Sequence, residues 1–510
     1  MLIMHTAYHA DNIRRRSDIA AAEAQCLQLI SEFEEIERRK LVMRDRFEAL
    51  QNEIEENKIV LAARLHARIP AEIFSEIFQY CCGTDQLEVF TRTRPRQRQW
   101  ILPAVSRRWR AIALSTPQLW ATLHFDIDRI VSAKRLENLD DIAKEIFKRS
   151  GRAPLAIAVT ISRSGHDLLR AVLAESFRWK SFRISLSQLQ TVTVLNDQRG
   201  NFPILEAIDI SAPRPLAEPL NAFKTCPKLH TIGLSGGVLT RNVAAPWEKI
   251  TNFSVLEPQD PEDLLQALES MPAIRYADID LHFDNKLTNV SVSKSTNLSQ
   301  LQSLLLTGPL SFVAHATLPV LAELSMEGCT IQFDDVAYRF VIAQVGLKTL
   351  ELKSVRITSS ELESIVQHLP RLERLELFGF EVDDSFFERI TAGNGILPNL
   401  RTLHAAFCVH LSCSLLTMLE SRIFRRLKDS QPNKDQGTAY LDSVYIGYRG
   451  GARMPDDLRD RRDALHGHGT HIEFGRDIGG IYGTYAPAIA EVMNRISTKR
   501  KKREEQKHLR

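Results

Sequence analysis

The sequence predicts an α/β solenoid preceded by a small all-α module and, before that, a long coiled-coil-like helix. A six-residue template, apolar-x-x-apolar-x-apolar, recurs eleven times between Trp179 and Ile446. Prolines at 203, 227, 272, 319, 370 and 398 each fall two residues before a template start. Residues 19–61 carry apolar side chains alternately three and four apart, with no Pro or Gly. With 510 residues, 44% hydrophobic and 25% charged, the chain has ordinary globular usage, which excludes wholesale disorder.

Residues 1–18 carry no such period and are expected to be an unstructured N-terminus. From Ile19 the a positions are Ile19, Cys26, Phe33, Lys40, Phe47, Ile54 and Leu61; the d positions are Ala22, Leu29, Ile36, Met43, Leu50 and Asn57. Eleven of the thirteen are apolar, counting Ala and Cys, so residues 19–65 read as a coiled-coil-like helix. Two readings stay open: self-association through residues 19–61, or one amphipathic helix packed on its own chain.

Residues 66–123 read as a small helical module. Pro70 suits a first helical turn and Glu72 an acidic position near the helix dipole. Ile73, Phe74, Ile77 and Phe78 form an apolar stripe, and Val105, Trp109, Ile112 and Ala113 share one face of a later helix that Pro117 ends. The segments Pro70-Ala71-Glu72-Ile73, Ile77-Phe78, Val105-Ser106-Arg107-Arg108-Trp109-Arg110 and Ser115-Thr116-Pro117-Gln118-Leu119-Trp120 together resemble an F-box, in the form common in mushroom-type fungi. Ile69 stands where that family has Leu, and the linker 81–99 is long and carries an Arg run. The resemblance implies docking on the Skp adaptor of an SCF ubiquitin ligase. Pro70, Ile73, Ile77 and Phe78 are assigned to adaptor contact, and Trp109 and Trp120 mainly to the core.

Residues 124–475 are read as the repeat array. Template starts are spaced 26, 24, 21, 24, 27, 20, 26, 25, 28 and 41 residues apart, and all but the last match the leucine-rich-repeat period. Proline before a start ends a helix and releases the chain into a strand. Segments 360–369 and 384–392 read as intervening helices, and Pro154-Ile157-Val159 as an earlier, degenerate repeat. The array resembles an irregular leucine-rich-repeat solenoid, with neighbours sharing one core. In each strand the fourth and sixth template positions point inward, and the third and fifth line the concave face. Glu323, Glu351, Arg374, Glu376, His404 and Tyr445 on that face are the candidate substrate-binding residues; a merely solvated face is the alternative.

No catalytic residue, cofactor site or metal site is read. His404, Cys408, His410 and Cys413 have zinc-ligand residue types. Cys408 and Cys329, however, both occupy a repeat position that favours Asn or Cys, which explains them as buried turn residues. His466, His468 and His471 suit a capping turn before a short strand. The glycines at 450, 451, 479, 480 and 483 match no nucleotide-binding loop, and no G-x-S-x-G or H-E-x-x-H motif occurs. The net charge is +3; the last twelve residues carry +5 and the remainder −2, so the charge balance argues against a nucleic-acid partner. The basic block 499–503 in that tail (residues 476–510 form the C-terminal segment) reads as a nuclear-import signal, a nucleic-acid patch or an ordinary solvated terminus. Seven cysteines without C-x-x-C, no signal-peptide core and no apolar run of membrane length lead to an expected cytoplasmic or nuclear location, with no membrane partner.

The resemblance implies the substrate-receptor subunit of an SCF-type cullin ubiquitin ligase, a non-catalytic subunit. Its F-box would hold the Skp adaptor, and through it a cullin, while the array holds a protein substrate. The alternative is a non-ligase scaffold that uses the repeat face and the coiled coil for assembly alone.

Overall fold

The structure is a computed structural model. It describes residues 2–83, 87–88, 98–126, 133–161, 166–186, 189–197, 201–258, 260–281, 296–308, 316–328, 335–379, 382–409, 412–423, 439–448, 456–465 and 471–476. The chain divides into two compact units, 1–83 with 102–113, and 84–101 with 114–510.

In the first unit, α1 (Leu2–Arg68) is one continuous helix of 67 residues. It takes in residues 2–18, expected as an unstructured N-terminus. That stretch contains no Pro or Gly, so nothing in it interrupts a helix that the heptads propagate. Pro70 ends α1 and opens α2 (Ala71–Cys82) as its N-cap residue with φ −56°. Next come α3 (Arg98–Val105) and α4 (Arg107–Leu114), of which residues 102–113 belong to this unit. These were expected as a single helix with Val105 and Trp109 on one face. The break falls at Ser106, whose Oγ accepts the Trp109 N–H at 3.1 Å and so caps α4, leaving Val105 exposed.

The core of this unit is aromatic. Phe78 packs 4.9 Å from the Trp109 ring and Phe74 5.8 Å from it. The Arg108 guanidinium lies 5.2 Å over Phe74 and donates to the Ile69 carbonyl, tying α4 to the chain just before α2.

The second unit is a repeat-like α/β solenoid. Among the described residues, fifteen strands from Leu87–Glu88 to His471–Arg476 form one sheet in chain order, and every neighbouring pair is parallel. The sheet begins before residue 124, because Leu87–Glu88 and Thr122–Asp126 are already part of it. The strand Leu155–Ile161 is the degenerate repeat. Helices such as Pro261–Glu269, Ser359–Gln367 and Asp384–Arg389 connect the strands. Inward positions hold the core: Leu350, Leu352, Leu375 and Leu377 are all fully buried, as are Leu362 and Ile365 on the connecting helix.

The prolines act through turn geometry. In five repeats the template's first N–H bonds the carbonyl three residues back, and the proline occupies the second position of that turn. The bonds are Leu229 to Cys226 (3.4 Å), Ile274 to Met271 (3.1 Å), Leu321 to Leu318 (3.3 Å), Leu372 to Leu369 (3.2 Å) and Leu400 to Leu397 (3.3 Å). A proline there pre-sets φ for the turn.

Trp109 and Trp120 were expected in one module core, yet they belong to different units. The 3-10 turn Pro117–Trp120 leads straight into the strand Thr122–Asp126, so Trp120 joins the sheet. There it is fully buried, edge-on to Trp100 at 5.3 Å, with the Arg149 guanidinium 4.8 Å above its ring.

Candidate functional site

Strict parallel register turns the fifth template position into a ladder across the sheet, one side chain per strand. It runs Arg183, Asp209, Gly233, Ser254, Asp278 and Leu305, and on through Ser325, Glu351, Glu376, His404, Tyr445 and Glu473. Neighbouring rungs stand about 4.8 Å apart, near enough for charges to act on one another directly. Apart from the buried Gly233 these residues are intermediate or exposed, while the fourth and sixth positions from Phe182 and Ile184 to Val444 and Ile446 are buried, as the alternation requires.

Five of the six candidate residues on this face come together. The Glu351 carboxylate accepts the Ser325 hydroxyl at 2.6 Å and pairs with Lys353 at 2.6 Å. Glu376 lies 3.4 Å from the Arg374 guanidinium and 3.6 Å from the His404 Nδ1. His404 meets the Tyr445 ring edge-on at 6.2 Å. Glu323, two strands before Glu376, is exposed beside Thr349 and lies outside these contacts.

Burial sets the electrostatics of this cluster. It pushes the Glu376 carboxyl above its usual range, the Glu351 charge pushes the same way, and Arg374 and Lys353 oppose both. Burial likewise lowers His404, as do Arg374 and His471, against the pull of Glu351. The imidazole is therefore neutral at pH 7, and its contact with Glu376 is not an ion pair. Lys353 also lies 5.9 Å over the Phe378 ring.

Lys353, Phe378, His471 and Glu473 belong to this surface but escape a reading confined to the third and fifth template positions. The period of two continues to the seventh position, which holds Lys353 and Phe378. His471 and Glu473 sit on one further strand, in register with Ser443 and Tyr445.

The other half of the concave face differs. Ser181, Ala207, Thr231, Gly233 and Ser254 floor a trench of about 290 Å³. The Arg183–Asp209 ion pair at 2.7 Å lies in it. The ladder already contained the signal, in the small residues of its early rungs.

In the first unit α2 presents two faces. Phe74 and Phe78 are buried on Trp109, while Ile73 (45% exposed), Ile77 (43%) and Tyr80 (90%) face solvent. Pro70 is exposed as well. Phe78, assigned to adaptor contact with Ile73 and Ile77, is fully buried in this unit's own core. A spacing of one residue along a helix turns a side chain by 100°, enough to separate Ile77 from Phe78.

Among the described residues no group of three or more His, Cys, Asp or Glu is placed to hold a metal ion. Cys329, His410, His466, His468, most of the Arg92–Arg98 run and the glycines and basic block of the tail lie outside the described residues, as does the side chain of Cys408. Among the described residues no helix is long and apolar enough to cross a membrane. A scan against protein-family models and a search of curated proteins return no match for this chain.

Proposed function

We propose that this chain is the substrate-receptor subunit of an SCF-type cullin ubiquitin ligase. In this reading α2 docks on the Skp adaptor through Pro70, Ile73, Ile77 and Tyr80, and the concave ladder holds a protein substrate. The observation that carries it is the division of α2. Its inner face is closed by Phe74 and Phe78 on Trp109, so Ile73 and Ile77 are left exposed on a helix already held in place. Exposed apolar side chains grouped on a rigid element favour a partner surface. Ubiquitin transfer would then rest on proximity, since a held substrate lysine meets the thioester at raised effective concentration.

The test is co-purification of the full chain with the Skp adaptor, comparing wild type with Ile73→Asp/Ile77→Asp. Circular dichroism checks that the variant stays helical. Two carboxylates at the centre of an apolar contact should weaken binding by more than about a hundredfold. Absence of binding by wild type would overturn the ligase reading in favour of the non-ligase scaffold. For the substrate face, Glu351→Lys/Glu376→Lys should abolish capture of a bound partner. If Gly233→Leu abolishes it instead, the trench is the docking surface.

A further inference from the structure

Among the described residues, a long apolar stripe on α1 is exposed. Nine large apolar side chains at heptad a and d positions, from Ile19 to Leu61, are exposed, among them Phe33 at 65% and Met43 at 68%. They extend over 43 residues of unbroken helix, about 64 Å. Eighteen such side chains across a pair of helices, at roughly 90 Å² each, amount to about 1,600 Å². That is the size of a specific, stable interface.

We infer that this stripe is covered by a second copy of the same chain, in an antiparallel two-stranded coiled coil. The direction follows from the residues that flank and interrupt the stripe. A parallel pair sets Lys40 against the partner's Lys40, two ammonium groups in one apolar layer. It also opposes Asp18 to the partner's Glu23, Glu32 to the partner's Glu37 and Arg39 to the partner's Arg44. Only Glu53 and the partner's Lys58 attract. In the antiparallel pair Lys40 sits beside the partner's Met43, Phe33 beside the partner's Leu50, and Asn57 beside the partner's Cys26. Glu37 then faces the partner's Arg44, and Glu23 the partner's Lys58. The like-charged contacts, Arg39 with the partner's Arg46 and Glu32 with the partner's Glu53, are offset by these.

Direction can be read from the sign of one charge reversal. Glu37→Arg turns two attractive contacts of the antiparallel dimer into repulsive ones, which raises the dissociation constant about five- to thirtyfold. In a parallel dimer the same change removes the clash with Glu32 and tightens association. Sedimentation equilibrium of the full chain, from nanomolar to tens of micromolar, supplies the measurement. The expected results are a species of twice 57.9 kDa, weakening by Glu37→Arg, recovery in Glu37→Arg/Arg44→Glu, and a helical monomer for Phe33→Asp/Phe47→Asp. A monomer at every concentration overturns the inference, and so does a trimer or larger species. A dimer indifferent to Phe33→Asp/Phe47→Asp, or tightened by Glu37→Arg, overturns it too.

Discussion

Arg422 offers the sharpest test of how the array is held together. Its side chain is 1% exposed on the helix Cys413–Ile423. It donates to three backbone carbonyls: Nε to Ile390 at 2.8 Å, Nη1 to Leu397 at 3.0 Å and Nη2 to Ile396 at 2.9 Å. Burial lowers its pKa to about 10, which still leaves it charged at neutral pH. The loop it grips needs support, because Leu397 has φ +51°, a left-handed conformation that costs a residue with Cβ roughly 1–2 kcal/mol. Arg422→Met keeps most of the volume and takes the guanidinium donor from the Ile390 and Ile396 carbonyls, at roughly 1–3 kcal/mol each, while Leu397, which keeps the Leu400 N–H, loses one bond worth about 1 kcal/mol. Relief of the buried charge returns several kcal/mol, so the net loss should be about 2–4 kcal/mol.

Repeat arrays need not unfold in one step, so the assay should be local. Native-state hydrogen exchange of residues 390–402 should quicken by roughly thirty- to thousandfold in Arg422→Met. Arg422→Lys keeps the charge, but its ammonium is a point donor and cannot reach three carbonyls set in a fork. It should recover less than half of the loss. Exchange within twofold of wild type in the Met variant, or full recovery by Lys, would refute the reasoning.

Asp263 is 4% exposed and accepts from the Thr240 N–H at 2.6 Å, the Thr240 hydroxyl at 2.7 Å and the Arg241 N–H at 3.0 Å. Asp263→Ala should therefore cost about 2–4 kcal/mol of local stability, read by native-state hydrogen exchange of residues 240–243, and Asp263→Asn should cost less. His404 is held below its usual pKa of 6.5, so its contribution to stability is present above pH 6.5 and is lost as pH falls through that window. His404→Asn should flatten the urea midpoint against pH just below 6.5. Glu376 is held above 4.5, so its contribution is full below that pH and is lost as pH rises through the folded-state value. Glu376→Gln should remove the decline on that side, and a midpoint that still falls there would assign it to other groups.

Much of the array could be read from the chain alone, because its signals are local. The positions Leu347, Leu350 and Leu352 repeat in Leu372, Leu375 and Leu377 with the buried spacing a strand imposes, and the structure buries all six completely. The helical module was less legible. Ser106 looked like a mid-helix residue, and only its bond to the Trp109 N–H makes it a cap. Phe78 looked equivalent to Ile77, since four apolar neighbours on a helix do not say which of them another element will cover.

The sequence by itself determined the period of the array, the proline that precedes many of its strands and the alternation that separates core from surface. These depend on backbone φ, on chain spacing and on the burial of apolar area, all properties of residues close together along the chain. Only the tertiary structure decided that Glu351, Glu376, His404 and Tyr445 share one electrostatic environment, with Lys353 and Phe378 beside them. It also decided that Arg422 closes a loop 25 to 32 residues earlier. Such contacts join residues a repeat or more apart, and their energies depend on register, burial and distance, which exist only once the strands are side by side.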